Sequence, residues 1–243
     1  MNDKKEWSAS KNVQQDYIDI CKKALENDYI FNNFKRDSRY KQVLEHVSGQ
    51  LGERHLKHII PELLEEPYLS KFKENDKYGN PGLSYYNKTG EISATTLRYI
   101  DVLSNIITWI PDAIEGHIVE IGGGYGGQCK IIYDYVTPKS YMMLDLPVVT
   151  KLQRKYLELF NIPLTRHPDS PVDFVISNYA WSELSDELRS LYIDTIISNA
   201  KHGYITTNRG LYMIDEIKES VDADVFVYED VDWKHPNNKI VVW

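Results

Sequence analysis

The sequence predicts an α/β fold, a doubly wound and mostly parallel seven-stranded sheet of Rossmann-like type, with a helical cap in front of it. Short apolar runs of strand character recur through the second half of the chain, and amphipathic segments of helical period lie between most of them. The first of these runs leads straight into Gly122-Gly123-Gly124-Tyr125-Gly126-Gly127. A chain of 243 residues accommodates one such domain and a small helical addition.

Residues 1–77 form the predicted cap. Tyr17, Ile20, Cys21, Ala24 and Leu25 recur at spacings of three and four with charged residues between them, which predicts a helix. A second helix is expected over Tyr40–His46, after the polar break Asn32–Ser38. Glu66-Pro67 and the polar run Lys73–Lys77 lead into Gly79-Asn80-Pro81-Gly82, a turn signal that sets the start of the second domain, 78–243. Ser93–Ile110 is one amphipathic helix, with Leu97, Ile100, Leu103, Ile107 and Ile110 on its apolar stripe, and Pro111 ends it.

Strands are expected at His117–Ile121, Ser140–Leu144, Pro163–Arg166, Val172–Ser177, Gly203–Thr207, Asp224–Tyr228 and Lys239–Trp243. Helices are expected between most of them, notably at Val148–Phe160 and Leu184–Ala200, and this alternation implies right-handed βαβ units. The loop Glu229–Asn238 is too short for a helical crossover, so the last two strands should form an antiparallel hairpin at one edge.

With 42% hydrophobic and 26% charged residues the composition is globular. A net charge of −8 argues against nucleic acid as the main partner, because phosphate neutralisation needs clustered Lys and Arg. Cys21 and Cys129 stand far apart in no metal-like spacing, which suits free thiols in a reducing compartment. The residues after Met1 are too polar for a secretory signal, and no apolar run approaches the roughly 20 residues that span a bilayer. A cytoplasmic protein is expected, and a homodimer is compatible with these features.

Glycines between a strand and a helix let the backbone turn tightly and approach a ligand, and the helix N-terminus offers free N–H groups. Gly122, Gly124 and Gly127 also satisfy G-x-G-x-x-G, so NAD or FAD competes for this turn. Three features favour S-adenosylmethionine instead. Glu120, two residues before the first glycine, places a carboxylate where a cationic ligand gains and a pyrophosphate does not. Asp145 ends the next strand and suits ribose hydroxyls, although either cofactor accepts it. The terminal hairpin fits a methyltransferase sheet better than a dinucleotide domain.

The segments Gly79-Asn80-Pro81, Thr95–Tyr99, Glu120–Gln128, Asp145-Leu146-Pro147, Ser177–Glu183, Gly203–Asn208 and Asn237-Asn238 with Trp243 resemble the sugar O-methyltransferase family of class I S-adenosylmethionine enzymes. That family includes enzymes acting on deoxysugars and heptoses of bacterial surface glycans. The likeness covers 78–243 and is much weaker over 1–77. It implies a nucleotide-activated or glycan sugar as acceptor. It also implies a cofactor site of Glu120, Gly122, Gly124, Tyr125, Gly126, Gln128, Asp145, Leu146, Ser177 and Asn178, with His167 near the adenine edge.

Methyl transfer is an in-line displacement, so the protein aligns the acceptor oxygen and removes its proton. Small-molecule O-methyltransferases with an Asp-Leu-Pro after strand two carry a His-Asp-Trp-Ser segment that supplies the base. Matching Trp181-Ser182 to it puts Tyr179 where the His would be. An unperturbed Tyr, with a pKa near ~10, is a poor base. Glu183 and His235 are the other candidates, although Glu183 equally suits a cap on the helix expected from Leu184, and His235 an exposed loop. Thr95, Arg98 and Tyr99 on the helix before the turn are candidate substrate contacts, with an ion pair on a helix face as the competing role for Arg98. Asn80, Asn208 and Asn237 offer amides for sugar hydroxyls. His55 and His58 are expected at the surface of the cap. No carboxylate cluster stands out at the strand ends, so no metal is expected. A phenolic or natural-product acceptor, an NAD-dependent oxidoreductase and a cofactor-binding subunit without activity are the competing readings.

Overall fold

The computed structural model describes residues 11–166, 171–208, 211–231 and 237–243. Helix α1 (Lys11–Glu26) buries Tyr17, Ile20, Cys21 and Ala24 on one face, as its period predicts. Two short helices follow, α2 (Asp28–Phe31) and α3 (Ser38–Lys41), each begun by an Asx cap, from Asn27 and Asp37. The helix expected over Tyr40–His46 is cut short. Glu45 turns the chain with a left-handed φ of 42°, and its side chain is buried near Lys35 and Thr95. Then come α4 (Gly49–His58), α5 (Tyr68–Lys73) and a hairpin of β1 (Leu83–Tyr86) and β2 (Gly90–Ser93), a small sheet the sequence pattern did not announce.

Helix α6 (Ala94–Trp109) is capped by the Ser93 hydroxyl. Leu97, Ile100 and Leu103 are buried as expected, but so are Thr95, Arg98, Asp101 and Ser104 on the other faces. The cause is position: α6 packs against α4 on one side and against the helix after the glycine turn on another. A two-sided helix has no solvent stripe to hold its polar residues.

The main sheet follows: β3 (His117–Ile121), α7 (Gly127–Tyr135), β4 (Ser140–Leu144), α8 (Pro147–Glu158), β5 (Phe174–Asn178), α9 (Asp186–Thr195), β6 (His202–Thr207), α10 (Leu211–Ser220), β7 (Phe226–Glu229) and β8 (Lys239–Val242). Its order is β4-β3-β5-β6-β8-β7, with the first four strands parallel and β8 antiparallel to both of its neighbours. This sheet has six strands rather than seven. Pro163–Arg166 forms none of it. Thr165 alone reaches Tyr141 O, through its N–H and its hydroxyl, and Pro163 has no N–H to extend a ladder.

The helix expected over Leu184–Ala200 runs only from Asp186 to Thr195, because the Ser185 hydroxyl caps it at Leu188 N–H. Glu183 therefore lies in the preceding 3-10 turn, Ala180–Glu183, and not at a helix cap.

One hydrophobic cluster joins α1, α4 and α6 to the face of the sheet that carries Ile118, Tyr141 and Phe174, so residues 11–77 share a core with it. A second cluster, with Val119, Val175, Trp181 and Ile205, fills the other face. Gly203 lies under the ring of Trp243, where a Cβ would come within 2.0 Å of Cη2. Both cysteines are free and buried. No helix among the described residues is long and apolar enough to cross a membrane.

Candidate active site

Register brings the key groups together. Ile121 pairs with Leu144 on β4, and Gly122 N–H continues that ladder to Leu144 O at 2.8 Å. The glycine turn and Asp145 therefore leave the sheet side by side. Glu120 pairs with Ile176 on β5, which sets Ser177 beside Ile121, and the Ser177 hydroxyl donates to Ile121 O at 3.0 Å. These are carboxyl ends of parallel strands, where open α/β sheets bind ligands.

The turn needs its glycines. Gly122, Gly124 and Gly126 have φ of 75°, 56° and 99°, a region that costs other residues about 1–2 kcal/mol. A Cβ on Gly122 would meet Ala180 Cβ at 2.0 Å, and one on Gly124 would meet Leu44 Cδ1 at 2.6 Å. Leu44 thus brings the N-terminal segment over the turn, a contact between residues eighty apart that no local pattern signals.

Glu120 is 2% exposed, and its Oε2 accepts the Tyr141 hydroxyl at 2.9 Å. The same oxygen lies 2.9 Å from where a Gly123 Cβ would be, so the carboxylate sits under the turn. Burial, and then the charge of Asp145, push its pKa up to about 8, against the pull of the Tyr141 bond. Among the described residues no cationic side chain is a cause of that shift. A ligand that brings an amino group to this carboxylate would supply the missing positive charge, so the residues fit the amino-acid end of S-adenosylmethionine.

Asp145 grips the turn directly. Its carboxylate accepts from Gly124 N–H at 3.1 Å, Leu146 N–H at 2.8 Å and Gln153 Nε2 at 3.1 Å. A carboxylate offers about four lone-pair sites, so one remains for a ribose hydroxyl. Burial pushes Asp145 up to about 7, with the charge of Glu183 adding to the rise.

Gln128 ties the parts together. Its Nε2 donates to Tyr99 O at 3.1 Å on α6, and its Oε1 accepts from Asn178 Nδ2 at 3.5 Å at the end of β5. The Tyr125 ring turns inward, packed edge-on against Phe34, Tyr99 and Tyr156 with Lys35 over its face, so this residue can meet a cofactor only through its backbone.

Beyond β5 the chain reaches Tyr179, a non-glycine residue at φ 66°. Its hydroxyl donates to Asp230, and burial with the Asp230 charge pushes its pKa well above the usual tyrosine value. Asp230, in the loop before β8, also accepts from Asn238 Nδ2. The Arg98 guanidinium lies over the rings of Tyr99 and Tyr179, 5.5 and 5.7 Å from their centroids. Arg98 is therefore sandwiched in the interior and is not an ion pair on a helix face. Thr95 is buried and bonds Glu45.

The other amides spread out. Asn80 bonds Asn33 and receives Arg36 Nε on its carbonyl, which ties the turn before β1 to the cap. Asn208 and Asn237 are exposed, at the end of β6 and before β8. His167 and His235 lie outside the described residues.

His55 is buried, contrary to the expectation of a surface position, while His58 is exposed. Its Nδ1 lies 2.7 Å from Asp101 Oδ2, joining α4 to α6. Neither His55 nor Asp101, nor Asp230, stood out in the sequence, because the residues that meet are 46 or more positions apart. A larger cleft of about 660 Å³, lined by Tyr133, Ser140, Tyr141 and Pro163, opens at the amino end of β4, away from these groups.

No family model matches the sequence, and no curated protein matches it. Solved structures do. The methyltransferase domain of bacterial CtHen1-CN is similar at 10% identity, over 58% of this chain and 96% of that one, with a TM-score of 0.47. An O-methyltransferase family protein from Burkholderia thailandensis is similar at 9% identity, over 62% and 59%, with a TM-score of 0.42. A SAM-dependent methyltransferase from Aquifex aeolicus is similar at 14% identity, over 52% and 79%, with a TM-score of 0.38.

Proposed function

We propose that the chain is an S-adenosylmethionine-dependent O-methyltransferase that acts on a hydroxyl of a sugar, in nucleotide-activated or glycan form. The observation that carries this reading is the buried Glu120 carboxylate under the glycine turn, beside Asp145. In an NAD enzyme that carboxylate would oppose the pyrophosphate held by the same turn, so the charge favours the cationic cofactor.

Glu120 takes the amino group, the N–H groups around Gly122, Gly124 and Gly126 approach the carboxylate end, and Asp145 takes the ribose. The half-buried Leu146 lies on the adenine side. Gln128, Ser177 and Asn178 hold the strand ends in register for this. When bound, the cofactor supplies an electrophilic methyl group on sulfur.

The acceptor lies over Asn178 and Tyr179. Sugar as its class rests on the sequence resemblance and is supported by the polar wall there of Arg98, Asn105, Asn178 and Asp230. Tyr179 positions the acceptor and does not remove its proton, because its own proton is held by Asp230. Tyr99 fixes Arg98 from behind, and Thr95 holds Glu45, whose charge acts on Arg98. Asn208 and Asn237 meet the outer part of the substrate, and Asn80 steadies the cap. Glu183, near Asp145, and His235 remain candidates for moving the proton.

The test is a screen of nucleotide-activated hexoses, deoxyhexoses and heptoses, with phenols alongside, for a mass increase of one CH2 group in the presence of S-adenosylmethionine. Methylation of a sugar supports the reading. Methylation of phenols alone removes the sugar, and the absence of any methylated product removes the O-methyltransferase.

A further inference from the structure

A second, very small cavity lies between α4, α6 and the carboxyl ends of β5 and β6, lined by His55, Arg98, Asp101, Asn178, Tyr179 and Asp230. Its volume is about 10 Å³, the space of one water or one hydroxyl group. Arg98 Nε, Asp101 Oδ1 and Asn178 Oδ1, all on residues of this wall, are buried atoms without a hydrogen-bond partner among the described residues. Buried polar atoms are nearly always paired, so three around one small space mark the place of a ligand group. A hydroxyl answers this set, since its oxygen accepts from Arg98 while its proton turns to an acceptor.

We propose that this cavity receives the acceptor hydroxyl and that His55, oriented by Asp101, is the general base that takes its proton. The Asp101 carboxylate accepts only, so Nδ1 of His55 carries the proton of their bond and Nε2 keeps its lone pair. Asn178 reaches Gln128 at the start of α7, so the cavity adjoins the turn assigned to the cofactor. The inference rests on the methyltransferase reading. In the step, the acceptor O–H bond breaks and its proton goes to Nε2. The oxygen bonds the methyl carbon, and the electron pair of the C–S bond leaves on sulfur.

The charged and titratable groups around His55 support a base. Asp101 and Arg98 come from α6, His58 from α4, Asp230 from the loop before β8, Tyr179 from the turn after β5 and Tyr204 from within β6. Asp101 holds the ring in place through Nδ1. The base thus comes from the cap, and residues 11–77 complete the site instead of merely covering it.

The experiment compares the full chain with H55Q and D101N in S-adenosylhomocysteine calorimetry, thermal melting and the pH profile of transfer to the hydroxyl panel above. H55Q should bind S-adenosylhomocysteine as the wild type does, lose about 100-fold or more in kcat, and lose the acidic limb of kcat/KM. D101N should keep a displaced limb. In the wild type, the pKa of His55 read by nitrogen NMR should coincide with the kinetic limb, a readout that stands even where H55Q fails to fold. Full transfer by H55Q, a mismatch of the two pKa values, or a wild type that binds S-adenosylhomocysteine yet methylates no hydroxyl overturns the inference. A wild type that does not bind S-adenosylhomocysteine overturns the methyltransferase reading itself.

Discussion

Replacing Glu120 by Gln separates a ligand-binding carboxylate from a structural one. Glu120 is 2% exposed, and its pKa stands at about 8 instead of 4.5. A carboxyl group whose folded pKa is raised binds its proton more tightly in the folded state. Its contribution to stability is complete below the unfolded value and is lost as pH rises through the folded one. Between pH ~5 and ~8 the wild-type chain without cofactor should lose roughly 3 kcal/mol from this group. Gln keeps an oxygen for the Tyr141 hydroxyl but carries no charge, so its melting temperature should fall less over that window than that of the wild type, the remaining fall belonging to groups such as Asp145. With about 2–4 °C per kcal/mol for a chain of this size, the variant gains on the wild type by several degrees as pH rises. Cofactor affinity should move the other way, because losing a charge-assisted hydrogen bond of about 1.5–3 kcal/mol weakens binding roughly tenfold to hundredfold. Paired melts at the two pH values and calorimetry with S-adenosylhomocysteine read both effects. A variant that binds normally, or one destabilised equally at both pH values, would refute the role given to Glu120.

Gly122→Ala should destabilise by more than about 1–2 kcal/mol and abolish cofactor binding, since its φ is positive and its Cβ meets Ala180, whereas Gly82→Ala, in open space, should melt within about 0.5 kcal/mol of wild type. Asp145→Asn should weaken S-adenosylhomocysteine about tenfold, because the amide accepts through one oxygen where the carboxylate used two, and an unchanged affinity would remove the ribose contact. Tyr179→Phe should raise the acceptor KM and lower kcat less than about tenfold, whereas a loss of 10² or more in kcat would make Tyr179 the base after all. S-adenosylhomocysteine affinity of the wild type should rise with pH toward about 8, because binding to ionised Glu120 releases a proton, and a flat profile in calorimetry would contradict that linkage.

What the sequence showed was local. Glu120, the glycines and Asp145 were legible because each lies within a few residues of a strand end, and parallel pairing of β3 with β4 places them together. The buried face of α1 was legible from its period. The strand at Pro163–Arg166 failed because four residues, only two of them apolar, give no sign of whether a ladder partner is available. The burial of Arg98 and Asp101 on α6 was hidden for a related reason. A helix packed on two sides looks amphipathic in sequence, and its polar residues pass for a solvated face until the second neighbour is known. Asp230 was out of reach because only the antiparallel insertion of β8 between β6 and β7 brings its loop to Tyr179. The helix that periodicity would have continued to His46 ends at Lys41, and Glu45 then takes a left-handed turn.

The most direct test of the cofactor assignment is titration calorimetry of the purified chain with S-adenosylhomocysteine and, separately, with NAD. Saturable binding of S-adenosylhomocysteine that weakens in Glu120→Gln, with no heat from NAD, is the predicted result. Binding of NAD without S-adenosylhomocysteine would contradict it.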